Sequence, residues 1–148
     1  MSISNCGFRI ANWIKMNSDE LKFRSRDFGL KIIAFIEGFP STKAADVISR
    51  QLLRSAVSVG ANYRSACRAK SRNDFICKIN IAEEEADESA YWLEMIMGSQ
   101  LASADEVFPL LKEASELAAI FTASGKTAKH NRIGIAEKTP QSAIRNPQ

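Results

Sequence analysis

Histidine occurs once in the 148 residues, at position 130. That excludes a catalytic triad built on histidine and the paired Glu-x-x-His pattern of di-iron bundles. The three cysteines, Cys6, Cys67 and Cys77, are odd in number and match no zinc spacing. They read as reduced thiols, half-buried or buried, in a cytoplasmic protein. Seven glycines and four prolines, two of those prolines in the last nine residues, favour long helices over a turn-rich β fold. Two Tyr and two Trp leave little aromatic surface on which bases could stack. Apolar runs approaching a membrane span are missing. Arg9, Asn12 and Lys15 break the N-terminal apolar residues, so no signal peptide is expected and no membrane partner. A glycine-rich phosphate loop is absent as well.

The net charge of +3 conceals strong segregation. Residues 43–72 hold seven basic groups and one acidic, whereas residues 73–106 hold one basic and nine acidic. Arg50, Arg54, Arg64, Arg68 and Arg72 fall within an arc of about 80° on a helical wheel. Carried on one continuous helix they make a basic stripe roughly 33 Å long. Two outcomes are open for it: compensation by the acidic segment, within the fold or between subunits, or a free face for phosphate.

Periodicity predicts an all-α, antiparallel up-down-up-down four-helix bundle over residues 19–125, with a flexible arm at 1–18 and a disordered basic tail at 126–148. The first helix, about 19–37, takes Ser18 as N-cap and buries Phe28, Ile32, Phe35 and Ile36, with Gly38 and Pro40 stopping it. The second runs from Ser41 or Thr42 to about Lys70 on Ile48, Leu52, Ala56, Val59 and Tyr63. Ser71 and Asp74 begin the third, about 73–98, which buries Phe75, Ile79, Ala82, Ala86, Leu93 and Met97 and closes at Gly98. Ser103 and Glu106 form a capping box for the fourth, about 104–124, on Val107, Leu110, Leu111, Ala114, Leu117 and Phe121, with Gly125 closing it. A hairpin centred near Ser71 brings Ala56 level with Ala86, Gly60 with Ala82 and Tyr63 with Ile79. A tight contact of the second and third helices is therefore expected at Gly60.

Two faces exceed what a monomer needs. Gln51, Ser55, Ser58, Asn62 and Ser65 form an uncharged polar stripe on the second helix, which suggests specific hydrogen bonding or a subunit interface. The third helix keeps an extra apolar edge, Ile81, Trp92 and Met95, with Glu85 and Glu88 among them. The surplus points to a symmetric homo-oligomer. Arg54 and Glu88 stand at one level, although the wheel turns Arg54 away from the seam. The acids Glu83, Glu84, Glu85, Asp87 and Glu88 point in different directions on a helix, so no metal site, catalytic residue, cofactor or enzyme activity is expected.

The run QLLRSAVSVGANYRSACRAKSRNDFICKINIAEEEADESAYWLE, residues 51–94, resembles the bacterial four helix bundle protein family, also called the 23S ribosomal RNA intervening-sequence protein family. The likeness extends upstream through Phe28 and Phe39-Pro40 and more loosely through the fourth helix. It implies a bundle assembled as a homopentamer around a channel. A related branch is the accessory protein of diversity-generating retroelements, a basic pentamer that binds nucleic acid and a reverse transcriptase. RNA or DNA and a reverse transcriptase or other protein are the partners so implied. The matching positions Gln51, Arg54, Ser55, Ser58, Asn62, Asp74, Phe75, Lys78, Glu85, Glu88, Tyr91 and Trp92 read as structural or interfacial. The expectation is then a non-enzymatic oligomer. Arg64, Arg68, Lys70 and Arg72 contact phosphates, with Lys126, Lys129 and Arg132 adding reach. Gln51, Arg54, Ser58, Asn62, Glu85, Glu88 and Trp92 form the subunit interface. The rival expectation is a protein scaffold that never touches nucleic acid.

Overall fold

A computed structural model of the chain describes residues 16–136, so the expected arm lies almost wholly outside the described residues, as does the end of the expected tail. Four helices and no strand occur among the described residues: α1 Ser18–Ile36, α2 Lys43–Ala66, α3 Arg72–Gly98 and α4 Ala104–Ala136. Successive helices pack on one another and α1 returns to α4, which makes an all-α four-helix bundle.

Local chemistry fixes each helix start. α1 is capped by Asn17 rather than Ser18. The Asn17 Oδ1 accepts from the Asp19 and Glu20 amides at 3.0 and 2.9 Å, and Glu20 Oε2 accepts from the Asn17 amide at 3.0 Å. Only a residue three before Glu20 can close such a box, and Ser18 is one too late. Thr42 caps α2 and Ser71 caps α3. Ser103 and Glu106 close the expected box on α4. Between α3 and α4 the left-handed position belongs to Gln100, at φ 59°, not to Gly98. The Leu101 and Gln100 amides reach back to the Ile96 and Met97 carbonyls, the bonding of a Schellman close.

The expected apolar positions meet in one core. Phe28, Ile32, Leu52, Val59, Ile79, Leu93, Leu117 and Phe121 are almost fully buried, and Phe35, Ile36, Ile48, Phe75, Met97 and Leu111 pack around them half-buried. The Tyr63 and Phe121 rings lie 5.5 Å apart across the interior.

Two glycines correct the expected organisation. Gly60 is buried, but its neighbour is α1, not α3: a Cβ there would stand 3.3 Å from the Ser25 carbonyl carbon and 3.4 Å from the Arg26 nitrogen. Gly125 does not close α4, which runs on to Ala136. A Cβ at Gly125 would lie 3.3 Å from Ile79 Cγ2, so this glycine permits close approach to α3 in mid-helix instead of a turn. The first part of the expected tail is therefore helix.

Candidate nucleic-acid interface

The single basic stripe does not survive folding, because α2 stops at Ala66 and its residues divide in two groups. Cys67 caps α2, its amide donating to the Tyr63 carbonyl at 3.0 Å. Arg68 and Lys70 lie in the turn that follows, and Arg72 is the first residue of α3. The helix ends before Lys70 because Ser71 must leave helical geometry to cap α3. Asp74 Oδ2 then ties the corner, accepting from the Lys70 amide at 3.0 Å and Lys78 Nζ at 2.9 Å. These bonds, that from Lys70 first, hold the Asp74 carboxyl below its ordinary range.

Arg64, Arg68, Lys70 and Arg72 all remain exposed at this corner. Their side chains make no hydrogen bond or ion pair among the described residues. Gly125 packs beside Ile79, so the stretch of α4 after it runs alongside the start of α3, and exposed Lys126 and Lys129 stand at the same end of the bundle. Arg132 lies further along that helix. The α1 N-terminus is also at this end, where Asp19 pairs with Lys22 at 3.1 Å.

The upper part of the stripe is neutralised. Arg50 pairs with Asp46 one turn earlier. Arg54 bonds Glu88 and stands 3.8 Å from Glu85, so the pair that spacing allowed and the wheel disfavoured does form. A long guanidinium side chain reaches round the helix to its partner. The Trp92 indole N–H donates to the same Glu88 oxygen at 3.1 Å. Burial works against the Glu88 charge, yet Trp92 and Arg54 hold its carboxyl below the usual range. Glu85 behaves oppositely: burial pushes its carboxyl up, and Oε2 is buried without a hydrogen bond among the described residues.

The uncharged stripe of α2 satisfies much of its hydrogen bonding internally. Ser58 donates to the Arg54 carbonyl at 2.7 Å, and Asn62 Nδ2 to the Ser58 carbonyl at 2.9 Å. Ser55 is fully buried, and the Ser89 hydroxyl donates to it at 3.0 Å across the α2–α3 seam. Gln51, Ser58, Asn62, Glu85, Glu88 and Trp92 are half-buried and Arg54 exposed. These residues thus form one network along α2 and α3 within a single chain.

Sequence reasoning missed two features. Arg24 on α1 clamps two residues of α4, Nε reaching Glu113 Oε1 at 2.6 Å and Nη2 reaching Glu113 Oε2 at 2.8 Å and Glu116 Oε2 at 2.6 Å. Nothing in local spacing signals a pair so distant in sequence. The second is an exposed apolar line on α1, Phe23, Leu30 and Ile33, legible as apolar residues left over once the core stripe is assigned. Among the described residues no group of three or more His, Cys, Asp or Glu could hold a metal ion, and no helix is long and apolar enough to cross a membrane.

A family model described as 23S rRNA-intervening sequence protein matches residues 20–123. The fold is similar to a crystal structure from Bacteroides thetaiotaomicron VPI-5482, described as a protein with unknown function from the S23 ribosomal protein family. That likeness has a TM-score of 0.69 at 32% identity, and covers 75% of this chain and 99% of that one. No curated protein matches the chain.

Proposed function

The chain belongs to the 23S rRNA-intervening sequence protein family, and from that premise we propose that it is a non-enzymatic homo-oligomer that holds RNA or DNA by the phosphate backbone. The observation that carries the reading is the corner of Arg64, Arg68, Lys70 and Arg72. Four exposed cations without ion-pair partners among the described residues share one end of the bundle with Lys126 and Lys129, where Asp19 pairs with Lys22 and Asp74 accepts from the Lys70 amide and from Lys78. Such a cluster binds by counterion release, which gives affinity without sequence choice. The assembly half of the reading rests on the exposure of Ile81 and Met95, at 41% each, and of Tyr91, at 52%. Five copies is the number implied by the family resemblance.

The test is fluorescence anisotropy of labelled RNA and DNA duplexes across a potassium chloride series. Substituting Arg64, Arg68 and Arg72 together by Ala should flatten the log–log salt slope by about 2.7, at about 0.9 for each lost phosphate contact. An unaltered slope and affinity would remove the corner from the site. Protein that binds neither nucleic acid at low salt would favour the scaffold reading.

A further inference from the structure

α1 turns Phe28 and Ile32 to the core, yet leaves Phe23, Leu30 and Ile33 outside at 67, 48 and 40% exposure. Together with Arg26 these fall within an arc of about 80° on the helix. A groove of about 270 Å³ lies along this face, its walls including Arg26, Leu30 and Ile33 from α1 and Val57, Ala61 and Arg64 from α2. Its floor carries Gly29 and Gly60. The groove is thus apolar with two arginines, neither of them in an ion pair among the described residues.

α3 carries the opposite pattern on its outer edge. Ile81, Glu84, Glu88, Tyr91, Trp92 and Met95 recur at three- and four-residue steps within about 100° of arc. Ile81, Tyr91 and Met95 are exposed, and Glu84 is exposed without an ion-pair partner among the described residues. This is the form of an amphipathic helix face that lies in an apolar groove, here with the unpaired Glu84 carboxylate to meet a guanidinium group of the groove. One chain cannot join its own two surfaces, because the polar strip of α2, with exposed Arg54 and half-buried Ser58, lies between them.

We infer that the α3 edge of one copy docks in the α1–α2 groove of the next, with Ile81, Tyr91 and Met95 on Leu30, Ile33 and Val57, and Glu84 opposite Arg26. This inference rests on the assembly half of the proposed function. The two patches differ, so the contact is head-to-tail and repeats from copy to copy, as a ring where the rotation closes and as a filament where it does not.

Light-scattering mass of the full chain, without nucleic acid, tests it on the wild type, Arg26→Glu, Glu84→Arg and the double variant. Both residues are exposed, and far-UV circular dichroism checks that each variant keeps its helices. The wild type should be a multiple of 16.4 kDa. Each single reversal should lower the mass towards one chain, and the double variant should recover it, because the reversed charges again face each other. A multimer whose mass neither single reversal changes would overturn this contact while leaving assembly through another face. Loss in the single variants without recovery in the double would also overturn it. A monomeric wild type would remove the assembly reading itself.

Discussion

Gly29 and Gly60 face the same α1–α2 crossing and should respond to alanine differently, the first gaining stability and the second not. Both sit inside helices, where Gly costs about 1 kcal/mol relative to Ala. A Cβ on Gly29 would meet the Ala56 carbonyl oxygen and Val57 Cα at 3.6 Å, ordinary van der Waals contact. Gly29→Ala should therefore stabilise the protein by about 1 kcal/mol, or roughly 3 °C in Tm for a chain of this length. A Cβ on Gly60 would meet the Ser25 carbonyl carbon at 3.3 Å and two further α1 backbone atoms at 3.4 Å. Backbone cannot swing aside as a side chain can, so α1 must lift by a few tenths of an ångström. Overpacking of this kind costs about 1–3 kcal/mol, which at least offsets the propensity gain and leaves Gly60→Ala about 0–2 kcal/mol less stable. Urea unfolding followed by circular dichroism measures both differences. If Gly60→Ala stabilises as much as Gly29→Ala, α1 does not approach α2 closely at that point, and the assignment of Gly60 to this crossing is wrong.

Arg24→Ala should destabilise by about 2 kcal/mol, because it leaves Glu113 and Glu116 together without the guanidinium they share; one-fifth exposure keeps the loss below the 3–5 kcal/mol of a fully buried pair. Arg24→Lys should recover only part of that stability, since a single ammonium cannot reproduce the fork, and full recovery would contradict a geometric role for the clamp. Gln100→Gly should raise stability by about 1 kcal/mol in thermal unfolding, because Gln100 holds φ 59° where glycine has no Cβ strain; a loss would place the turn in another conformation. Glu85→Gln should stabilise at pH 7. The folded Glu85 carboxyl lies above its unfolded value, so its ionisation penalty is complete above the folded pKa and disappears as pH falls below the unfolded one. The gain over wild type should therefore close on acidification in a urea titration at stepped pH, and a gain that stays constant with pH would exclude the titration of Glu85 as its cause.

The fold was legible because its determinants are local. Apolar residues at three- and four-residue steps, Thr42, Ser71 and Ser103 at caps, and Gly38-Phe39-Pro40 at the first turn each act over a few neighbours. The register of α2 against α3 was legible for the same reason, since a short turn at Ser71 brings Ser55 close to Ser89 and Arg54 to Glu88. Gly60 and Gly125 were not legible to the same depth. Absence of a side chain signals both a turn and a close approach, and choosing between them requires the partner helix. For Gly60 that partner is α1, whose angle across α2 no sequence spacing records. Arg24 with Glu113 and Glu116 is hidden likewise, because α1 and α4 are the two ends of the bundle.

The candidate site shows the same divide between spacing and folding. A wheel treats residues 50–72 as one rigid helix and awards all five arginines one face. The chain breaks that helix after Ala66, and the break changes the electrostatics more than the residue count does. Arg50 and Arg54, still helical, lie within reach of Asp46, Glu85 and Glu88 and are neutralised. Arg68 and Arg72, carried past the break, reach the end of the bundle, where the acids of mid-α3 lie turns away at roughly 1.5 Å per residue. Exposed charges separated by more than about 8 Å are screened at physiological salt, so the acidic run of α3 weakens but does not cancel the field at the corner. Continuation of α4 past Gly125 then adds Lys126 and Lys129 on a helix instead of a loose tail. A cation fixed on a helix forfeits less freedom when it meets a phosphate than one on a mobile chain. Lys126 and Lys129 are thus helical cations at the same end of the bundle as Arg64, Arg68, Lys70 and Arg72.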